Sequence, residues 1–383
     1  ISSYFFFWQL IRNQGKKTNL LNVTFLFKMP IHACENFNFP PNLCKFVFCK
    51  KGKVTCLSPQ SGFQLKYNEL YKNGPQVSVV GFGAWAIGGR EWGKTDDTES
   101  LRALHRAADL GINFFDTADI YGYGHSEELI GKFLKQYDRD KVVIAGKAGR
   151  DFYKFLNTTD LVRFEHTYTV AYLTEAVEKS LRRLGTDRLD VLQLHSPDTE
   201  LLTADEPWVA LDKLKQSGKI VAAGLSVQSY KESEQTFLVG EKKDILDCLQ
   251  IRYNLLERQA EVSLLDTAMK HGIGVIARIP ILFGLLAGKF SNATRFGKDD
   301  HRSKSLSPEI LSDYMKELSK YDQLFARRNG YTQSQISIGF CISHPAVSTV
   351  IPGAKTAQQV EENAKAANIP PDFYKDIAPL SKN

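Results

Sequence analysis

Four residues of this chain, Asp116, Tyr121, Lys147 and His195, have types and positions suited to moving a proton. Asp116, Lys147 and His195 each close a short apolar run, and Tyr121 follows Asp116 by five residues. A tyrosine hydroxyl, with an ordinary pKa of about 10, protonates a carbonyl oxygen poorly at neutral pH. A lysine ammonium beside it favours the phenolate and lowers that value. A carboxylate such as Asp116 would keep the lysine charged and fixed in position. A neutral imidazole from His195 can orient the carbonyl oxygen and share the proton relay. Such a group would stabilise oxyanion charge as hydride arrives from a nicotinamide ring. Each residue also has a plainer use. Asp116 could cap a helix, Tyr121 pack beside Gly122 and Gly124, Lys147 be solvated charge, and His195 sit satisfied in a core. Their chemistry coheres only when all four are taken together.

The elements that must position them begin at about Phe63. Candidate strands are Ser78–Gly83, Asn113–Phe115, Val142–Ala145, Val191–Leu194, Val221–Gly224, Cys248–Ile251, Gly274–Ala277 and Thr349–Ile351. Amphipathic helices lie between them. Over Tyr172–Leu184 the residues Leu173, Ala176, Val177, Leu181 and Leu184 form one apolar stripe, stopped by Gly185. Ser100–Leu110 presents Leu101, Leu104, Ala107 and Ala108 before Gly111. Short buried strands alternating with such helices argue for a parallel sheet, and eight of them argue for closure into a (β/α)8 TIM barrel. Phe63–Tyr67 and Gln76–Val80, joined through Asn73-Gly74-Pro75, are expected to form an N-terminal hairpin plugging the barrel bottom. The polar stretch Ser291–Ser307 reads as a loop insertion after strand seven. Barrels of this kind gather their sites at the carboxyl ends of the strands. There Ser226, Gln250 and Arg278 join the first four residues.

The leading sixty or so residues differ in texture. Nine bases stand against one acid before Tyr67, so the net charge of +6 is carried there. The remaining 40 bases face 42 acids, which opposes a nucleic-acid footprint on the folded part. The run Tyr4–Trp8 is too short to span a bilayer. Residues 1–61 are expected to be a poorly structured or artefactual extension, with a start at Met29, and 62–383 the barrel. The basic, acid-poor extension also has some likeness to a transit peptide, which would direct the chain to a plastid or mitochondrion instead of the cytoplasm. Cys34, Cys44, Cys49, Cys56, Cys248 and Cys341 show no zinc-type spacing with histidine and are expected to be free thiols.

Several segments resemble the aldo-keto reductase superfamily. They are Gly81–Trp85, Asn113–Gly131, Ser180–Asp187, Leu192–His195, Gly284–Lys289 and Ile351–Lys355. The resemblance runs from about Phe63 to Asn368. It implies a TIM barrel, NADP(H) extended across its mouth with NAD(H) as the alternative, and a tetrad of Asp116, Tyr121 as proton donor, Lys147 and His195. It further implies cofactor contacts from Gly83, Ala84, Trp85, Asp116, Ser226, Gln250, Arg278, Pro280, Gly284, Leu285, Lys289, Gly353, Lys355, Gln359, Glu362 and Asn363. Substrate contacts fall to Trp85, Tyr121 and His195. Two departures stand out. Ser226-Val227 replaces the Ser-Asn of many members, and Arg278 replaces a strand-seven tyrosine, where it either meets the cofactor or closes a loop by an ion pair. By its own sequence, Ile351–Asn363 reads as a strand, a turn at Gly353 and a helix opening near Ala357, an arrangement suited to a phosphate.

The expected activity is NADP(H)-dependent interconversion of an aldehyde or ketone and an alcohol, with a small carbonyl compound or sugar as partner. The alternative is a cofactor-binding regulatory subunit like the potassium-channel β-subunits, without turnover. Specificity should lie in Trp85–Trp92, Asp151–His166 and Ser291–Ser307, with Trp85, Trp92, Phe152 and Tyr153 as candidates for an apolar pocket.

Overall fold

The computed structural model describes residues 45–49, 53–57, 65–93, 95–157, 162–227 and 232–380. The chain divides into two compact units, 1–63 and 64–383. In the first unit Lys45–Cys49 pairs antiparallel with Lys53–Leu57, a pairing the sequence analysis did not anticipate. Phe46, Val47, Phe48, Val54 and Thr55 supply the β-favouring types. The Met29 start and the Tyr4–Trp8 run lie outside the described residues.

The second unit is the expected barrel. Its strands are β1 (Phe82–Gly83), β2 (Phe114–Asp116), β3 (Val143–Ala148), β4 (Leu189–His195), β5 (Ile220–Ser226), β6 (Cys248–Arg252), β7 (Gly274–Arg278) and β8 (Val347–Ile351). All neighbours are parallel and follow chain order. Parallel bridges Val80–Val350 and Gly83–Gly353 close β1 against β8. Glycine is required at this seam, because a Cβ on Gly83 would lie 2.8 Å from the Ile351 carbonyl oxygen.

The outer helices are α1 (Asp97–Asp109), α2 (His125–Leu134), α3 (Val170–Leu184), α4 (Glu206–Gln216), α5 (Glu232–Glu241), α6 (Leu264–His271), α7 (Gln333–Ser343) and α8 (Ala357–Ala364). The α3 stripe is as read from the sequence at Leu173, Ala176, Val177 and Leu184, which are buried, but Leu181 is only partly buried and Ser180 is buried beside it. Thr169 caps its start, and Gly185 ends it in the left-handed region at φ 66°. The α3 helix begins two residues earlier than expected because that cap sits at 169.

The hairpin forms, but as Tyr67–Glu69 with Gln76–Ser78. The turn is the expected one, Asn73 taking φ 63°. The single strand expected over Ser78–Gly83 is divided, since Ser78 pairs in the hairpin and Phe82 in the barrel. Leu70 and Val77 from the hairpin are fully buried against Phe114, Val191, Ala222 and Ile276, so the hairpin plugs the barrel floor. After β7 the expected loop insertion Ser291–Ser307 is not all loop: it carries the short helix Arg302–Ser305, and the helices Pro308–Leu318 and Asp322–Ala326 follow it before α7.

Candidate active site

Strand register brings the predicted residues to one rim. Asp116 ends β2 opposite Gly83 and Ala145. Lys147 lies in β3 opposite Gln193, and His195 ends β4 opposite Ser226. Tyr121 sits in the loop after β2. That loop is pinned where Ser126 Oγ donates to the Ala84 carbonyl at 3.0 Å. Gly122, at φ 63°, passes so close to Gly88 that a Cβ would lie 2.0 Å from its carbonyl oxygen. The phenol is therefore held by backbone packing that tolerates no side chain at either glycine.

Lys147 Nζ donates to Asp116 Oδ1 at 2.5 Å and to the Thr117 carbonyl at 2.9 Å. It also stands 5.0 Å from the centre of the Tyr121 ring. Phenol and ammonium thus share one face of the barrel mouth. Two buried amides complete the carboxylate: Gln250 Nε2 donates to Asp116 Oδ2 at 2.6 Å and Gln193 Nε2 at 3.2 Å. His195 meets Tyr121 edge to face, with ring centres 5.9 Å apart. Its backbone carbonyl accepts from the Tyr168 hydroxyl at 2.8 Å.

Burial holds the His195 imidazole well below its ordinary value, and the charges of Arg150, Lys147 and Arg278 push the same way. The ring is neutral at neutral pH, as expected. Tyr121 behaves differently from the expectation. Burial raises its hydroxyl above 10 and outweighs the lowering by Lys147, while Asp116 adds to the rise. The lysine is where the sequence placed it, but the resting phenol is not made acidic.

A cavity of about 360 Å³ opens beside this group. Gly83, Trp85, Asp116, Tyr121 and Gln250 line its inner part, and Arg278, Pro280, Gly284 and Lys289 line one wall. Gly353, Lys355, Gln359, Glu362 and Asn363 line another. Three expected cofactor contacts, and the expected substrate contact His195, are not in its lining. Ala84 and Leu285 are buried behind the wall, and Ser226 is buried with its hydroxyl 3.4 Å from Gln250 Oε1. Lys147 and His195 lie beneath the lining.

Arg278 lines the cavity and donates through Nη2 to the Val227 carbonyl at 2.8 Å, an interaction with the very residue that departs from the family pattern. Burial lowers its guanidinium to about 10, with Arg252 acting in the same direction. Gly353 follows β8 without entering the left-handed region. Its bare backbone faces the cavity, and a Cβ there would meet nothing in the protein nearer than 3.7 Å. The helix α8 opens after Thr356, whose side chain accepts from Gln359 N at 3.3 Å.

The aromatic candidates divide. Trp85 and Trp92 line the cavity, Trp85 stacking on Tyr121 at 6.0 Å. Phe152 and Tyr153 do not. Phe152 is fully buried between Tyr123 and Tyr153, so these two rings pack and do not line this cavity. Phe283, Phe290 and Arg302 line the cavity without having been anticipated. Gln193 was also missed, although its place midway between inward Val191 and His195 was a readable signal.

A sequence profile described as the aldo/keto reductase family matches residues 79–382. The chain belongs to that family. The aldo-keto reductase YhdN of Bacillus subtilis is 33% identical over 301 residues, covering 78% of this chain and 87% of the relative. The L-glyceraldehyde 3-phosphate reductase of Escherichia coli is 30% identical, with coverages of 86% and 95%. A protein of Arabidopsis thaliana named a probable voltage-gated potassium channel subunit beta is 28% identical over 80% of this chain and 92% of its own. Among solved structures, the glycerol dehydrogenase of Gluconobacter oxydans superposes with a TM-score of 0.64 at 29% identity, covering 85% of this chain and 98% of that one. This aldo/keto reductase family member therefore belongs to an oxidoreductase family and has its barrel fold. Among its described residues no helix is long and apolar enough to cross a membrane.

Proposed function

We propose that the chain is an NADP(H)-dependent reductase of aldehydes or ketones in which Tyr121 donates the proton. The observation that carries this reading is the Lys147 ammonium, paired with Asp116 and 5.0 Å from the Tyr121 ring. The cavity suits an elongated anionic cofactor. Arg278, Lys289, Arg302 and Lys355 line it against only two acids, Asp116 and Glu362. Gly353 leaves bare backbone where a side chain would intrude on a ligand rather than on the protein. When bound, the nicotinamide supplies the hydride.

The chain's own residues handle the rest. Tyr121, on the cavity lining, passes its hydroxyl proton to the carbonyl oxygen as negative charge builds there, with neutral His195 packed edge to face against its ring. Lys147 stabilises the phenolate left behind, and Asp116 holds Lys147. Trp85 and Trp92 screen the reacting atoms from water. The test is Tyr121→Phe, assayed by NADPH oxidation with a panel of small aldehydes. Turnover should fall by about 10²-fold or more, the usual worth of a positioned general acid, while NADPH still binds. Wild-type turnover in that variant would remove Tyr121 from the role. A second reading, a regulatory subunit without turnover, is favoured by the 28% relative named as a channel β-subunit. Negligible wild-type turnover across the panel with either NADPH or NADH would select it.

A further inference from the structure

We propose that Gln193 is a positioning residue for proton transfer, acting through Asp116, and that Gly224 exists to make room for it. The proposal rests on the reading of Tyr121, Lys147 and Asp116 as the proton-handling unit. Gln193 sits in the middle of β4, between Val191 in the barrel core and His195 at the rim. It is fully buried. Its Nε2 reaches Asp116 Oδ2 at 3.2 Å and the Gly146 carbonyl at 3.4 Å. Both neighbours only accept, so the amide must face them with its nitrogen. That orientation leaves Oε1 buried with no hydrogen-bond partner among the described residues.

An unpaired buried carbonyl is a cost that leucine or methionine, of similar size, would avoid. The amide is therefore kept for its donor, not for its volume. The neighbouring strand is shaped to admit it. Gly224 stands opposite Gln193 in the β4–β5 ladder, and a Cβ there would lie 2.7 Å from Gln193 Cγ. Gln250 also donates to Asp116, but it lines the cavity and meets whatever binds there. Gln193 lies outside the lining, so its hydrogen bond persists when the cavity fills. A carboxylate held from below by that donor keeps its orientation, and through Oδ1 it aims the Lys147 ammonium at the phenol.

The experiment compares Gln193→Met and Gln193→Glu with the wild type, each verified as folded by circular dichroism and thermal melting. With NADPH and a small aldehyde, Gln193→Met should lose about tenfold in kcat, the worth of one hydrogen bond to a charged group, with the KM for NADPH within about twofold. Gln193→Glu carries the discriminating signature. Its carboxyl, when protonated, offers Asp116 an O–H in place of the amide N–H, so kcat should recover toward acid pH and fall as the new group ionises. A space-filling role alone would leave kcat of the methionine variant intact and give the glutamate variant no such rise. A crystal structure of Gln193→Met provides a reading independent of turnover. A turned Asp116 carboxylate supports the proposal even if the wild type reduces no carbonyl. An unmoved Asp116–Lys147 pair, or wild-type kcat in Gln193→Met, overturns it.

Discussion

Replacing Lys147 by methionine should cost both stability and turnover, and adding Asp116→Asn should restore the first without the second. The side chains of the pair are 1% and 3% exposed. Removing one member of a buried ion pair costs roughly 3–5 kcal/mol, because the other charge is left uncompensated. Asp116 would keep two amide donors, Gln250 at 2.6 Å and Gln193 at 3.2 Å. That places the expected loss near the low end, about 3 kcal/mol, or a fall in Tm of roughly 4–5 °C for a unit this large. In the double variant the buried charge is gone. The asparagine carbonyl can still accept from Gln250, and its NH2 can donate to the Thr117 carbonyl that Lys147 releases. Most of the lost stability, about 2 kcal/mol, should return. Urea unfolding at constant pH measures the stabilities, with an unchanged m-value required for the comparison, and NADPH oxidation measures the turnover. If Lys147→Met unfolds at the wild-type midpoint, or the double variant is no more stable than the single, the lysine is not held as a buried charge. The argument for a fixed ammonium beside the phenol then fails.

Two further predictions concern the cavity and the imidazole. Gly353→Ala should fold with wild-type stability, since its Cβ meets nothing nearer than 3.7 Å, yet bind NADPH about tenfold more weakly, as expected when a steric clash removes about 1.4 kcal/mol; equal Kd values by fluorescence titration would place the ligand elsewhere. Folding depresses His195 below its ordinary 6.5, so the unfolded chain alone takes up that proton as pH falls below 6.5 and stability drops in that range. The stability difference between wild type and His195→Gln should therefore shift against the wild type between pH 7 and pH 5, and a pH-independent difference in urea unfolding would contradict the depressed imidazole.

Much of the fold was legible because its signals are local. All eight barrel strands were found, since each is a short apolar run between turn residues and buried on nearly every side. The rim residues followed from one rule about barrels, applied to the last residue of each run. What the sequence hid depends on tertiary placement. Phe152 and Tyr153 follow Lys147 closely in the chain but stack on each other, with Phe152 against Tyr123, instead of lining the cavity. Arg302 reaches the cavity from the insertion after β7, and no spacing announces that. The left-handed backbone at Ile279, φ 59°, lining the same cavity, runs against the preference of a β-branched residue. The Gln193–Gly224 fit spans two strands and becomes visible only in their register.

The raised phenol bears on how the proposed proton donor can work. The sequence suggested a lysine that acidifies the tyrosine at rest, whereas burial wins and Tyr121 stays protonated at neutral pH. A donor must still hold its proton when the carbonyl arrives, and a phenol already ionised has none to give. What matters is the difference between the resting and transition states. The resting phenol is neutral and gains little from an ammonium, whereas the forming phenolate gains a great deal from a charge already fixed beside it. Lys147 is fixed by Asp116 before the charge appears, so no reorganisation is needed when it does. Burial keeps the proton in place and the ion pair assists its departure, and the two opposing influences on Tyr121 act at different moments of one transfer.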